Sequence, residues 1–154
     1  MNTYEGKETN ESLVGLEREE ALAYIKYKIY SEIAEKEKDF ELAKHFSDAA
    51  KNIEEESRKT LKELKHIGTT QENIKHLNDF LCNDYNRVIN KCLSDAEHEG
   101  LDNLSFLLNE KRKKLKEHIE KNTEKIQTTG AIAVSADNTE KVPAIFKCEN
   151  CGYN

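Results

Sequence analysis

Two cysteines near the end of the chain have the spacing of a metal-binding turn. Cys148 and Cys151 form a Cys-x-x-Cys pair that Gly152 and Tyr153 follow directly. Two thiolates on one tight turn suit zinc or iron, but a closed structural site takes four ligands. The sequence therefore predicts a zinc or iron knuckle at residues 144–154 that must obtain two more ligands elsewhere.

The source of those two ligands stays open. If the tails of two subunits meet, their four thiolates make one tetrahedral site that is shared by a homodimer. The same pair could instead be a redox-active dithiol, or the first half of a longer metal-binding domain of which this chain is a fragment. An ordinary chain end that binds no metal is the remaining alternative.

The other two cysteines have no motif spacing. Cys82 and Cys92 stand ten residues apart in one predicted helix, which separates them by about 15 Å and prevents a disulfide between them. We expect both to be buried, reduced thiols.

Composition and charge narrow the function classes. The chain has 154 residues with 30 acidic and 24 basic side chains, a formal net charge of -6, which disfavours binding to nucleic acid or to anionic membranes. The beginning of the chain has no signal-peptide pattern, and no apolar run is long enough to cross a bilayer, so we expect a cytoplasmic protein. One proline, six glycines and 35% charged residues are typical of long amphipathic helices.

Glycines and capping residues divide the chain into four predicted helices. Gly68, Gly100 and Gly130 each follow a long stretch of helical periodicity and are expected to end a helix. Asp39 is expected to cap the second helix, and Thr69 with Glu72 forms a capping-box pattern before the third. The predicted helices cover about residues 11–37, 40–67, 70–99 and 102–129.

Short connections make these helices antiparallel neighbours, so the predicted fold is all-α, an antiparallel four-helix bundle. The bundle is expected at residues 1–129, a linker at 130–143 and the knuckle at 144–154. The predicted inward positions are Leu13, Leu16, Ala23, Ile25, Tyr27 and Ile33; then Phe40, Ala43, Phe46, Ala50, Ile53, Leu61 and Leu64; then Ile74, Leu77, Phe80, Leu81, Val88 and Ile89; and finally Leu104, Leu107, Leu108, Leu115, His118 and Ile126.

Several segments resemble rubrerythrins in order and spacing. The resemblance implies a ferritin-like bundle with a diiron-carboxylate site, a C-terminal rubredoxin-like domain that passes electrons to it for peroxide reduction, and association into dimers. The segments that carry it are residues 20–27 (Glu-Ala-Leu-Ala-Tyr-Ile-Lys-Tyr), then Ala43, Phe46, Ala50 and Asn52, then Glu99 and Gly100, and residues 148–153.

The diiron ligands that the resemblance implies are only partly present. Glu20 matches the first-helix carboxylate of the family. The family's Glu-x-x-His pair falls on Ile53 and Glu56 in the second helix, and on Leu115 and His118 in the fourth. Two carboxylates that hold iron in the family are thus replaced by aliphatic side chains, which favour burial over cation binding.

The third helix keeps at most one ligand. Its family carboxylates fall on Leu81 and Asp84, and a one-residue slip gives Cys82 and Tyr85 instead. The resemblance therefore implies a reduced set for one metal ion, because three or four nitrogen and oxygen donors suffice for zinc, manganese or iron. That set is Glu20, Glu56, Asp84 and His118.

Two functions follow from these observations. The first is a rubrerythrin-like metal-binding and redox protein, linked to peroxide or oxidative-stress defence, with a depleted or lost diiron site; whether it is an enzyme stays open, since Ile53 and Leu115 argue against full peroxidase activity. The second is a noncatalytic, oligomeric ferritin-like scaffold in which hydrophobic packing replaces the metal. Neither reading names an electron donor.

Overall fold

The computed structural model describes the backbone of residues 6–134 and the side chains of residues 6–128. Within this part of the chain every regular element is helical, which confirms the all-α prediction for these residues. The chain divides into two compact units between Ile67 and Gly68. The first unit contains α1 (Lys7–Lys36) and α2 (Phe40–Glu63); the second contains α3 (Thr70–Phe80), a π-helical turn (Leu81–Tyr85), α4 (Asn86–His98) and α5 (Asp102–Val134).

Each helix of the first unit is followed by a lysine in the left-handed conformation. Lys38 after α1 and Lys65 after α2 both have positive φ angles, 65° and 57°, the left-handed conformation that reverses the chain after a helix. Asp39 caps α2 as predicted, its carboxylate accepting a hydrogen bond from the backbone N–H of Leu42 at 3.1 Å. The prediction that Gly68 ends the second helix is wrong, because α2 has already ended before Lys65.

Small side chains form the seam between α1 and α2. Ala34, Ala43 and Ala50 are buried, so the two backbones approach closely enough for the Ser31 hydroxyl to donate a hydrogen bond to the Ala43 carbonyl at 2.8 Å. Phe46 lies 6.1 Å from the ring of Tyr27. Antiparallel pairing of these two helices, as predicted, is established within the first unit.

Some apolar positions predicted to face inward lie at the surface of the first unit. Ile25 and Ile33 on α1 are nearly half exposed, and Phe40 at the start of α2 is 69% exposed. The apolar residues of α1 occupy two faces, and α2 covers only one of them, which is why a count of apolar positions did not identify the seam. Leu16 is exposed for the same reason.

The second unit begins with the predicted capping box. The Glu72 carboxylate accepts hydrogen bonds from the Thr69 backbone N–H at 2.7 Å and from the Thr69 hydroxyl at 2.8 Å, and the Glu72 N–H donates back to that hydroxyl at 3.3 Å. Gly100, with φ of 70°, follows α4 as predicted. The prediction that Gly130 ends the last helix is wrong, since α5 continues to Val134.

The core of the second unit is apolar and centred on the π turn. Cys82 and Ile89 pack with Leu115 and Ile119, and Leu81 covers one side. α3, the π turn and α4 follow one another with helical backbone angles at each junction. They therefore form one continuous helical segment that packs against α5. The predicted positions Leu77, Phe80, Val88, Leu104, Leu107 and His118 are instead exposed.

Two asparagines and a cysteine occupy the buried face of α3, the π turn and α4, where Leu77, Phe80 and Val88 were expected to lie. Asn78, Cys82 and Asn86 are all almost completely buried and follow one another at four-residue spacing. In an α-helix two such steps displace the third residue by about 80° around the axis. The π turn holds more residues per turn and reduces this displacement, so that all three residues face the interior.

Candidate functional site

Glu20 is the predicted ligand with the most enclosed carboxylate. Its Oε1 atom accepts a hydrogen bond from the Thr60 hydroxyl at 3.2 Å, and its Oε2 atom is buried with no hydrogen-bond partner among the described residues. Thr60 itself is buried in α2, which holds the carboxylate in the seam between the two helices. Such a group can serve as a hydrogen-bond acceptor or as a ligand.

Glu56 lies one helical turn before Thr60, but its carboxylate is at the surface. It pairs with Lys59 at 2.7 Å, and both side chains are more than half exposed. The hydrogen bond from the Lys59 ammonium to Glu56, together with the attraction between the two charges, raises the pKa of Lys59. The structure therefore brings the Thr60 hydroxyl to Glu20, and it places the Glu56 carboxylate in an exposed ion pair.

The two ligands predicted in the second unit also have solvent-facing side chains. Asp84 lies in the π turn with its carboxylate 3.6 Å from Arg87 and with 44% of its side chain exposed. His118 is exposed on α5. By contrast Leu115, one turn before His118, is only 3% exposed and belongs to the apolar core.

The alternative alignment of the third helix, with Cys82 and Tyr85 in place of Leu81 and Asp84, gives no better pair of metal ligands. Cys82 is buried, 2% exposed, in the apolar core, and Tyr85 is exposed and stacks on Phe80. Among the side chains that the structure describes, no group of three or more His, Cys, Asp or Glu residues is arranged to hold a metal ion. The set of Glu20, Glu56, Asp84 and His118 draws on both units and stays a prediction.

The predicted knuckle lies outside the described residues. Cys148 and Cys151, with the linker and the metal assigned to them, therefore stay predictions of the sequence. Both of the other cysteines were expected to be buried. Cys82 is buried and Cys92 is exposed, and neither forms a disulfide with another described residue. The prediction that Cys92 is buried is wrong, because α4 turns this position away from α5.

A second polar contact in the first unit was not predicted. His66, after the end of α2, has its Nδ1 atom 3.1 Å from Oε1 of Glu17 on α1, and both side chains are about three quarters buried. Glu17 precedes Glu20 by three residues and lies on the same helical face. The signal in the sequence was this spacing of two acids along an otherwise apolar face.

The buried polar contact of the second unit was also missed. The Asn78 amide nitrogen donates to the Thr123 hydroxyl at 3.2 Å, and that hydroxyl donates to the Ile119 carbonyl at 2.8 Å. The other amide atom, Oδ1 of Asn78, is buried without a partner among the described residues. Asn78 lies four residues before Cys82, which was expected to be buried, and this spacing was the available clue.

Comparison of the chain with protein-family models, with curated proteins and with solved structures gave no match. Across residues 6–134, none of the helices combines the length and the apolar character that crossing a membrane requires. The resemblance to rubrerythrins rests on the motifs quoted above.

Proposed function

We propose that the chain is a rubrerythrin-like metal-binding protein in which the metal chemistry belongs to the C-terminal knuckle and the helices act as its ferritin-like carrier. The observation that carries the proposal is the Cys148–Cys151 spacing followed by Gly152 and Tyr153. Two thiolates on one turn are the most specific ligand pattern in the chain. The bound ion is zinc or iron, and the protein works in the cytoplasm, where these thiols stay reduced.

The side chains of the helical units support a depleted central site. Leu115 takes a position at which the family resemblance implies a carboxylate, and it is buried among other apolar groups. Glu56 and His118 are exposed, so neither is preorganised to hold a cation. Glu20 alone keeps an enclosed carboxylate oxygen that has no hydrogen-bond partner among the described residues.

Metal content per chain tests this proposal. We would purify the wild type, the Cys148→Ser/Cys151→Ser variant and an Asn150→Ser control without oxygen, and measure metals and molecular mass together. A shared tetrathiolate site gives about half an ion per chain in a dimer, because four thiolates bind one ion. The double variant should lose both the ion and the dimer, and Asn150→Ser should keep both, since it alters the same turn without removing a thiol.

Other stoichiometries would change the assignment. One or two iron ions per chain that persist in the double cysteine variant would place the working site among the helices. Peroxide reduction should then fall when Glu20→Gln removes the enclosed carboxylate. Equal metal content in all three proteins would contradict the knuckle proposal.

A noncatalytic oligomeric scaffold is the second candidate function. Leu22, Ile25, Ile29 and Ile33 recur at helical spacing along α1, and each is 44–46% exposed. An exposed apolar face of this kind favours association with another protein surface, here a second copy of the chain. This face does not depend on any metal.

Light scattering on Ile25→Asp/Ile29→Asp separates the two candidates. A scaffold should dissociate into monomers while its helical circular dichroism is retained, because both positions are exposed. The control is Phe106→Asp, which places the same charge at an exposed apolar position of α5. Dimers that survive the double change on α1 and dissociate only when the knuckle cysteines are removed would exclude this face as the contact.

A further inference from the structure

A second apolar surface lies on the outer side of α3 and α4. We define the outer strip as Leu77, Phe80, Tyr85 and Val88, which are between 41% and 53% exposed. None of the four takes part in the apolar core of the second unit. A continuous strip of large apolar side chains at a protein surface marks a contact site more often than scattered single residues do.

The π turn creates the continuity of the outer strip. Phe80 and Tyr85 are five residues apart, which in an α-helix separates two side chains by about 140° around the axis. Here their rings are stacked, with centroids 6.4 Å apart and planes inclined by 10°. The wider π turn between them brings both rings to one face, and so joins the Leu77 end of the strip to the Val88 end.

A thiol marks the far end of the same surface. Cys92 follows Val88 by four residues, one turn further along α4, and it is exposed.

The end of α5 lies near the other end of the strip, where α3 begins. Thr123 is level with Asn78 through their hydrogen bond, and α5 runs on for eleven residues to Val134. It therefore ends about 5 Å beyond the first residue of α3.

The segment that follows α5 has the composition and the reach to cover the strip. Residues 142–146 read Val-Pro-Ala-Ile-Phe, an apolar run with a proline that favours extended backbone. From Val134 back to the level of Leu77, across to the α3 surface, is about 18 Å, and the seven residues 135–141 span up to about 24 Å. Five extended residues then cover about 16 Å, which matches the length of the strip from Leu77 to Val88.

We propose that residues 142–146 dock on the outer strip, in an extended conformation that runs in the same direction as α3 and α4. Apolar side chains of the segment then cover Phe80, Tyr85 and Val88, which removes both surfaces from water. Cys148 follows the docked run and comes level with Cys92 at the end of the strip. The docking fixes the knuckle at one place on the second unit, and it requires no bound metal.

The native thiols provide the test. We would use metal-free full-length Cys151→Ser protein, in which Cys148 is the only thiol of the tail, and treat it with diamide. Diamide takes up the two thiol hydrogens as the Cys92–Cys148 disulfide forms. We expect rapid formation of this bond within one chain, identified as a linked peptide by mass spectrometry; a further Cys92→Ser change must abolish it.

A charge in the strip should undo the docking. Val88→Asp is expected to slow the cross-link about tenfold or more, because it opposes burial of the apolar segment. Hydrogen exchange at residues 144–146 should be correspondingly faster. Phe106→Asp, an exposed apolar position on α5 that lies outside the strip, should leave both rates unchanged.

Three results would overturn the proposal. One is a cross-link rate and an exchange rate that are the same in Val88→Asp and its parent, which would mean that the segment does not contact the strip. Another is an equal effect of Phe106→Asp. The third is a disulfide that joins isotope-labelled to unlabelled chains in a mixture, which would assign the strip to a contact between copies. None of these results bears on the metal content of the knuckle.

Discussion

Asn78 is the residue whose environment departs most from what its side chain prefers. Its side chain is completely buried, yet only one of its two polar atoms, the amide nitrogen bonded to Thr123, has a partner among the described residues. A buried carbonyl oxygen without a hydrogen bond destabilises the folded protein. The hydrogen bond from the amide nitrogen of the same side chain to Thr123 offsets part of this loss and holds α3 against α5. The contribution of Asn78 to the free energy of unfolding therefore has two parts, the space that its side chain fills and the hydrogen bonding of its polar atoms.

Substitutions at Asn78 separate these two contributions. Asn78→Ala should lower the free energy of unfolding by about 2 kcal/mol, because it removes the hydrogen bond and leaves a cavity. Asn78→Leu should cost less, because leucine fills the space and removes the unpartnered oxygen. Urea unfolding of both variants measures the difference, with Asn90→Ala at an exposed position of α4 as control. A larger loss for leucine than for alanine would contradict this account.

At the scale of the element, the way each helix ends distinguishes the two units. α1 and α2 are followed by Lys38 and Lys65 in the left-handed conformation, whereas α4 is followed by Gly100 in the same conformation. A lysine pays a steric cost there because its Cβ approaches the following carbonyl oxygen, and glycine does not.

Exchanging these residues should shift stability in opposite directions. Lys38→Gly and Lys65→Gly should each raise the free energy of unfolding by up to about 1 kcal/mol, since relief of strain exceeds the added freedom of the unfolded chain. Gly100→Ala should lower it by a similar amount; no side-chain collision contributes, because an added Cβ meets nothing within 4 Å. Thermal unfolding of the three variants provides the measurement. A stabilising Gly100→Ala would refute the left-handed geometry at that turn.

The start of α3 should make stability depend on pH. The hydrogen bond from the Thr69 backbone N–H, followed by that from its hydroxyl, holds the pKa of Glu72 below its ordinary value of 4.5. A lowered folded-state pKa means that the stabilisation is complete above the ordinary value and is lost as the pH falls through the lowered one. Urea midpoints measured across this acidic range should decrease less in Glu72→Gln than in the wild type.

Thr69→Ala provides the matched variant for this cap. It should cost about 1 kcal/mol at neutral pH, the usual value for loss of an N-cap side chain. It should also reduce the dependence on Glu72 ionisation, because one of the two donors to that carboxylate is gone. If both variants follow the wild-type midpoints at every pH, the capping box does not persist in solution.

At the scale of the whole molecule, the cores of the two units contain no metal ligand set among the described residues. We therefore expect chelation of metal to separate subunits joined by the knuckle without unfolding the helices. Molecular mass should fall to that of the monomer while far-ultraviolet circular dichroism is unchanged. A loss of helical signal on chelation would show that a metal stabilises the helical units themselves.

Sequence reasoning predicted the elements better than the faces they bury. Asp39, the Thr69–Glu72 capping box and Gly100 act locally, through hydrogen bonds and backbone angles within a few residues, and all three were predicted. The exposure of Cys92 and the burial of Asn78 depend on the phase of the third helix, which the π turn changes by about one residue. Periodicity over short windows does not resolve such a change, and so Leu77, Phe80 and Val88 of the outer strip were assigned to the interior.

The candidate site was predictable only where it is local. The spacing of Cys148 and Cys151 indicates a metal turn without any knowledge of the fold. Glu20 was identified through the family resemblance, but its partner Thr60 was not, because a contact across forty residues depends on how two helices pack. Glu56 was placed by counting along the chain, which does not show that its carboxylate pairs with Lys59 at the surface.

The π turn also determines which changes in chain length the second unit tolerates. A single deletion within Leu81–Tyr85, for example of Asn83, leaves a hydrogen-bonded α-helix that is locally more regular than the native one. The relative rotation of α3 and α4 is retained, because a deletion leaves Asn78 and Asn86 seven residues apart, a displacement of only about 20° in a regular α-helix, and Asn78 still points at Thr123. The second unit should therefore accept a deletion in the π turn without exchanging inside and outside, whereas a deletion within α3 or α4 rotates one helix by about 100° relative to the other.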